Sequence, residues 1–134
     1  MPTSDKYAYL DTSAFLKLCW PEPETVALEN YLSGWPQLVS AALIWTEALL
    51  AAQRHGPVRR AHVERRLLAL PVLEISRALF REAGALAAPG LRSLDAIHLA
   101  AAISLGGDLG VIVTYDERMR SAAAALGLSV ADPR

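Results

Sequence analysis

The chain has 134 residues, of which 53% are hydrophobic and 20% charged, and its 13 lysines and arginines against 14 acids leave a net charge of −1. That is enough apolar chain for one domain with a real core, no stretch approaches the roughly 18 consecutive apolar residues of a membrane span, and a near-neutral balance neither demands nor forbids a nucleic-acid partner. Cys19 is the only cysteine, which excludes a disulfide framework and a cysteine zinc site and leaves it to serve as a small buried hydrophobe.

The opening "MPTSDKYAYLD" lacks the basic-then-apolar pattern of a signal segment, so a cytoplasmic protein is expected. "YAYL" (7–10) is a short β-type run that ends at Asp11. "DTSAFLKLCW" opens a helix with Asp11 or Thr12 as its N-cap. "PEPETVALENYLSG" begins with prolines and acids, as helix starts do, and stops at Gly34. "QLV" (37–39) is a brief strand, with Ser40 as the cap of the next helix, which ends at Gly56-Pro57. A fourth helix is expected from about 58 to 70, a strand at "VLEI" (72–75), and a helix capped by Ser76 that runs through Leu86. Pro89-Gly90 breaks the chain before "LRSLDAIHLAAA" (91–102), a helix almost wholly apolar beyond its first turn. "GVIVT" (110–114) is the clearest strand, "DERMRSAAAALG" a helix, and "LSV" (128–130) a last strand. Short apolar strands alternating with helices specify a parallel sheet covered on both faces. With no repeat or linker, the expectation is one α/β domain over 1–134.

Ligands of open parallel sheets bind beyond the carboxyl ends of the strands, where strand order reverses. Asp11 directly follows the first strand and Asp116 follows "GVIVT" by two residues, so both project from the same sheet edge; each is also explained as a helix N-cap. Glu47 falls in the middle of an apolar arc of Leu43, Ile44, Leu50 and Ala51, not opposite it. It is either half of a core ion pair, with Arg54 two turns on, or it lines a polar pocket. Asp95 sits in the first turn of a helix that Ser93 can cap, a position favoured by the helix dipole, yet the residues after it predict burial. Four carboxylates at one edge would repel unless a cation compensates them. Oxygen donors without a cysteine set or histidine pair point to Mg²⁺ or Mn²⁺, a kind of site that most often handles phosphate esters.

"YLDTSAFLKL", "TEALLA", "LRSLDAIHLAAA" and "VIVTYDERMRSAAAALGLSV" resemble, in order and over nearly the whole chain, the four acidic blocks of PIN domains, most closely those of VapC-type toxins. The resemblance implies a three-layer α/β/α fold around a parallel sheet of order 3-2-1-4-5. It aligns Asp11, Glu47, Asp95 and Asp116 with the family's acidic quartet, and Ser13 and Thr114 with polar positions that support it. It further implies a Mg²⁺- or Mn²⁺-dependent endoribonuclease, homodimeric and silenced by a cognate antitoxin; an RNA-processing nuclease outside such a pair and a non-catalytic binding module of the same fold are the alternatives. Met119 stands where an aromatic residue is frequent in the family, and the arginine-rich run at 59–66 is no family signature.

A phosphoacceptor domain also carries acids at strand ends but needs a lysine late in the chain, whereas this one has only Lys6 and Lys17. Arg92, just before the Asp95 helix, is either a phosphate contact or a surface residue. His98 is read as a core or hydrogen-bonded histidine near the site. Trp20, Trp35 and Trp45 are read as packing residues. "RHGPVRRAHVERR" (54–66) is either a solvated helix face or an edge that meets phosphates.

Overall fold

The structure is a computed structural model that describes residues 6–134; residues 1–5 of the segment considered for a signal lie outside the described residues. Five strands, β1 (Tyr7–Leu10), β2 (Gln37–Ala41), β3 (Val72–Leu73), β4 (Leu109–Val113) and β5 (Val130–Ala131), form one parallel sheet in the order β3-β2-β1-β4-β5. Among the described residues seven α-helices surround it: α1 (Thr12–Cys19), α2 (Thr25–Leu32), α3 (Ile44–Gln53), α4 (Pro57–Leu68), α5 (Arg77–Gly84), α6 (Ser93–Ile103) and α7 (Glu117–Ala125). This is the three-layer α/β/α arrangement expected, with the strand order 3-2-1-4-5.

The period-2 alternation of strands sorts the core into layers. Tyr9, Val39, Ala41 and Ile112 face α5, α6 and α7, where Leu79, Ala96, Leu99 and Ala122 meet them. Ala8, Leu10, Val111 and Val113 face the other way, onto Ala14 of α1 and Leu28 and Leu32 of α2. Phe15 and Cys19 of α1 continue outward into a third cluster with Ile44, Ala48, Ala52, Val63 and Leu67 of α3 and α4. Cys19 is a buried hydrophobe, and Trp20, Trp35 and Trp45 pack against the clusters on this side. Gly110 lets Trp35 lie directly on the start of β4: a Cβ there would overlap the indole ring.

Element boundaries follow local chemistry. Ser76 caps α5 by accepting from the Leu79 amide at 3.1 Å. Gly127, at φ +79°, ends α7 in a left-handed turn closed by Leu128 N to Ala123 O at 3.0 Å, the 6→1 bond of a Schellman motif.

Several expectations are corrected. Ser40 caps no helix: it is the fourth residue of β2, fully buried, and its hydroxyl donates to Leu10 O at 2.6 Å. A hydroxyl that finds a backbone acceptor across the sheet is stable in a strand, and α3 begins beyond the end of β2, at Ile44. Ser93 is the first residue of α6 and Arg92 occupies the N-cap position without a side-chain bond. Of "VLEI" only Val72–Leu73 pairs, and the last strand is shifted to Val130–Ala131; both are edge strands with one partner each.

Candidate functional site

β1 and β4 are neighbours whose chains leave the same edge of the sheet and turn into α1 and α7. Asp11 caps α1: its Oδ1 accepts from the Ala14 amide at 3.0 Å and from the Ser13 hydroxyl at 2.7 Å, while Oδ2 accepts from the Thr114 hydroxyl at 2.5 Å. Asp116 caps α7 through Oδ1, which accepts from the amides of Arg118 (2.9 Å) and Met119 (3.1 Å). Both carboxylates are N-caps, as their positions after strands foretold, and the two turns are joined by small hydroxyls. Ser13 Oγ accepts from the Tyr115 amide at 2.9 Å, and Thr114 Oγ1 accepts from the Asp116 amide at 3.1 Å. Ser13 and Thr114 therefore fix Asp11 against the start of α7.

Asp11 is only 4% exposed. Burial pushes its carboxyl above the ordinary aspartate range, against the opposing hydrogen bonds of Ser13, Thr114 and the Ala14 amide. Asp116 is exposed beside it. Asp95, in the first turn of α6, is half-buried rather than buried. The reason is that α6 enters the core only from Ala96 onward, while Ser93 and Leu94 remain exposed. Its carboxyl is raised by burial first and then by the neighbouring charge of Asp116, with Glu47 adding to the same effect and Arg118 and His98 opposing it.

Glu47 lies in the first turn of α3. The buried face of that helix is Ile44, Ala48 and Ala52, and Leu50 is 57% exposed, so Glu47 stands at the margin of the buried face and not in its centre. Its partner is not Arg54. Oε1 accepts from the Thr12 hydroxyl at 2.5 Å and lies 2.7 Å from His98 Nε2. Burial raises the Glu47 carboxyl, but the hydrogen bond and charge of His98, with Thr12, outweigh it and hold the group below the usual glutamate range. His98 itself is buried on α6, and its Nδ1 lies 2.7 Å from the Tyr9 hydroxyl. Tyr9, His98 and Glu47 thus form a continuous chain from the core to the acidic edge. Thr12 and Tyr9 went unassigned to the site in the sequence; the usable signal was that a buried tyrosine in β1 needs a polar partner.

The four acids lie at four helix starts: Asp11 and Asp116 at the N-caps of α1 and α7, Glu47 and Asp95 in the first turns of α3 and α6. Among the described residues Asp11, Asp95 and Asp116 enter no ion pair with lysine or arginine, and no three His, Cys, Asp or Glu side chains stand together as a ready-made chelate. The donor chemistry fits a hard divalent cation all the same: the donors are oxygens, the three aspartates have no lysine or arginine ion-paired to them among the described residues, and Mg²⁺ takes one or two carboxylates while keeping several waters. Arg92 is exposed at the entrance to α6.

Fold and site together define an α/β protein with an acidic centre at the switch point of its sheet. The sequence profile of the PIN domain matches residues 8–125. Ribonuclease VapC46 of Mycobacterium tuberculosis is 45% identical over 125 residues, covering 93% of this chain and 96% of its own. Among solved structures, M. tuberculosis VapC20, described as a sarcin–ricin loop cleaving toxin, superposes with a TM-score of 0.74 at 16% identity, covering 94% of this chain and 99% of its own. A toxin–antitoxin complex from Klebsiella pneumoniae gives 0.71 at 21% identity, covering 95% and 98%. The chain belongs to the PIN domain family and, within it, to the VapC-type toxin ribonucleases.

Proposed function

We propose that this protein is a Mg²⁺- or Mn²⁺-dependent endoribonuclease, the toxin of a toxin–antitoxin pair, acting through Asp11, Glu47, Asp95 and Asp116. The observation that supports the reading is that Asp11 and Asp116 cap the helices that follow the neighbouring strands β1 and β4, with Asp95 within electrostatic reach of Asp116 and Glu47, and that among the described residues no lysine or arginine is ion-paired to the three aspartates. The name of the 45% identical relative supports the ribonuclease activity, and the Klebsiella pneumoniae complex supports a cognate antitoxin. The homodimer implied by the family resemblance is part of the same proposal. No helix among the described residues is long and apolar enough to cross a membrane.

Asp11 and Asp116 would hold the ion, with Asp95 and Glu47 completing its surroundings. When bound, it would supply a water of lowered pKa and positive charge beside the scissile phosphate. Ser13 and Thr114 hold the Asp11 carboxylate in one orientation at the β1–α1 turn. Glu47 has Oε1 held by Thr12 and His98, which leaves Oε2 to orient the attacking water and accept its proton. Addition of water across the P–O3′ bond would leave a 5′-phosphate and a 3′-hydroxyl, with no role for the ribose 2′-hydroxyl. Arg92, at the rim, would meet a neighbouring phosphate.

The test is cleavage of a defined structured RNA by purified protein with Mg²⁺ or Mn²⁺ and with chelator, beside Asp11→Asn and Asp95→Asn. Metal-dependent cuts ending in 5′-phosphate, lost in both variants, are expected. Equal cleavage by the variants, or cleavage that survives chelation, would overturn the reading.

A further inference from the structure

Charge is unevenly divided along this chain. Residues 54–66 hold Arg54, Arg59, Arg60, Arg65 and Arg66 with Glu64 as the one acid, whereas the rest of the chain sets eight lysines and arginines against thirteen acids. In the fold this segment is the end of α3 and most of α4. Ala52, Val63 and Leu67 turn inward, and Arg54, Arg59, Arg65 and Arg66 stand exposed. Among the described residues none of these arginines enters an ion pair, while Lys17, Arg120 and Arg134 elsewhere are each tied to carboxylates. A merely solvated helix face gains from interleaved acids at i+3 and i+4; this one has Glu64 alone against five arginines, and Glu64 forms no ion pair with any of them among the described residues.

The arrangement is also specific. Arg59 and Arg66 are seven positions apart on one side of α4, about 10 Å along its axis, and both border α1. The Arg59 guanidinium lies 5.4 Å over the Trp20 ring, and the His55 ring packs on the same indole with centroids 4.8 Å apart. Trp20 is anchored by its Nε1–H to Glu22 Oε2 at 2.9 Å. A guanidinium stacked on a fixed indole keeps its N–H edges directed outward for an anion. Arg66 lies over an apolar recess formed by Phe15, Leu18 and Leu70. The helix that joins this seam to Asp11 is α1, eight residues long, or about 12 Å.

We propose that the α1–α4 seam, through Arg59 and Arg66, binds the backbone phosphates of single-stranded RNA on one side of the cleavage point and sets affinity, not sequence choice. The proposal rests on the ribonuclease reading for its ligand. An RNA strand is favoured over an acidic protein segment because one polyanion must then serve both ends of α1: a phosphodiester at the acidic centre and further phosphates at the arginines. A carboxylate-rich peptide would gain at the seam but brings no phosphodiester to the acidic centre.

The experiment measures anisotropy of labelled 12-nucleotide oligouridylate and oligoadenylate against salt, using full-length protein with Asp11→Asn to prevent cleavage. Every phosphate that the protein ceases to neutralise lowers the slope of log K against log salt by about 0.7, so Arg59→Ala/Arg66→Ala should reduce the slope by about 1.4, equally for both oligonucleotides. Arg59→Lys/Arg66→Lys should keep the slope. Arg77→Ala/Arg81→Ala, the same charge change on α5 across the sheet, should leave it unmoved. In the cleavage-competent chain the seam variant should raise KM and leave kcat unchanged. An unchanged slope, an equal loss in the α5 control, or polyglutamate binding as tight as RNA and equally dependent on Arg59 and Arg66 would each overturn the proposal, the last by making the seam a site for an acidic protein. Binding does not require turnover. Seam-dependent binding by a chain that never cleaves would therefore refute the nuclease and keep the seam, and cleavage with KM and slope unaltered would do the reverse.

Discussion

The chain from Tyr9 through His98 to Glu47 can be measured by a double-mutant cycle. Tyr9→Phe removes one hydroxyl and leaves His98 Nδ1, 2.7 Å away in the core, without that partner. A neutral buried hydrogen bond contributes about 1 kcal/mol net, and an orphaned buried group costs more, so the expected loss is about 1–2 kcal/mol. His98→Ala opens a cavity in place of a residue that is 3% exposed and removes one partner of the Tyr9 hydroxyl, which keeps Ser40 and the Ala41 backbone, for a loss of about 2–4 kcal/mol. Its effect on Glu47 is smaller, because that side chain is 21% exposed and still bonded to Thr12, so water replaces the lost donor. The double variant should fall short of the sum of the singles by about 1 kcal/mol, since the second change removes a bond already broken. Urea unfolding followed by tryptophan fluorescence reads all four corners, and 1 kcal/mol corresponds to about 3–5 °C in Tm for a domain of this size. Additivity within about 0.3 kcal/mol would refute the claim that the Tyr9–His98 bond supports the fold.

Asp11→Asn tests the cost of holding a carboxylate in the core. A raised folded-state pKa means that the native state binds more protons, so stability falls as pH rises from the unfolded aspartate value through the folded one. The wild type minus Asp11→Asn difference in unfolding free energy should therefore decline with pH across that window, and a flat difference would contradict it. Gly110→Ala should destabilise by about 1–3 kcal/mol through overpacking against Trp35, read by thermal melting; an unchanged Tm would mean that the indole moves freely. Ser76→Ala removes the cap of α5 and should cost about 1 kcal/mol, with an unchanged urea midpoint counting against the bond.

Much of this architecture was legible because apolar runs end at informative residues. Asp11 and Asp116 were placed correctly since each follows a strand, and strand ends locate a sheet edge without knowledge of packing. The edge strands were less legible: "VLEI" reads as four residues of strand, but with one neighbour only Val72–Leu73 pairs. Ser40 shows another limit, as its hydroxyl serves equally as a cap or as a donor to a strand carbonyl, and only the position of Leu10 decides. The partner of Glu47 was out of reach of any periodicity: His98 lies 51 positions away on a different helix, whereas Arg54 is visible on the same one. Asp95 reads as buried because the apolar run begins directly after it; the helix turns that first turn outward.

The bond between Thr114 and Asp11 closes a loop of 103 positions. During synthesis, at about 5–20 residues per second, Asp11 waits roughly 5–20 s before Thr114 and the strand that precedes it have even been made. Until then β1 has β2 on one side and nothing on the other, and the turn that carries Asp116 does not exist. The acidic edge thus has to wait until the chain has been made as far as Asp116, and a nascent chain on its ribosome lacks the candidate nuclease centre until then.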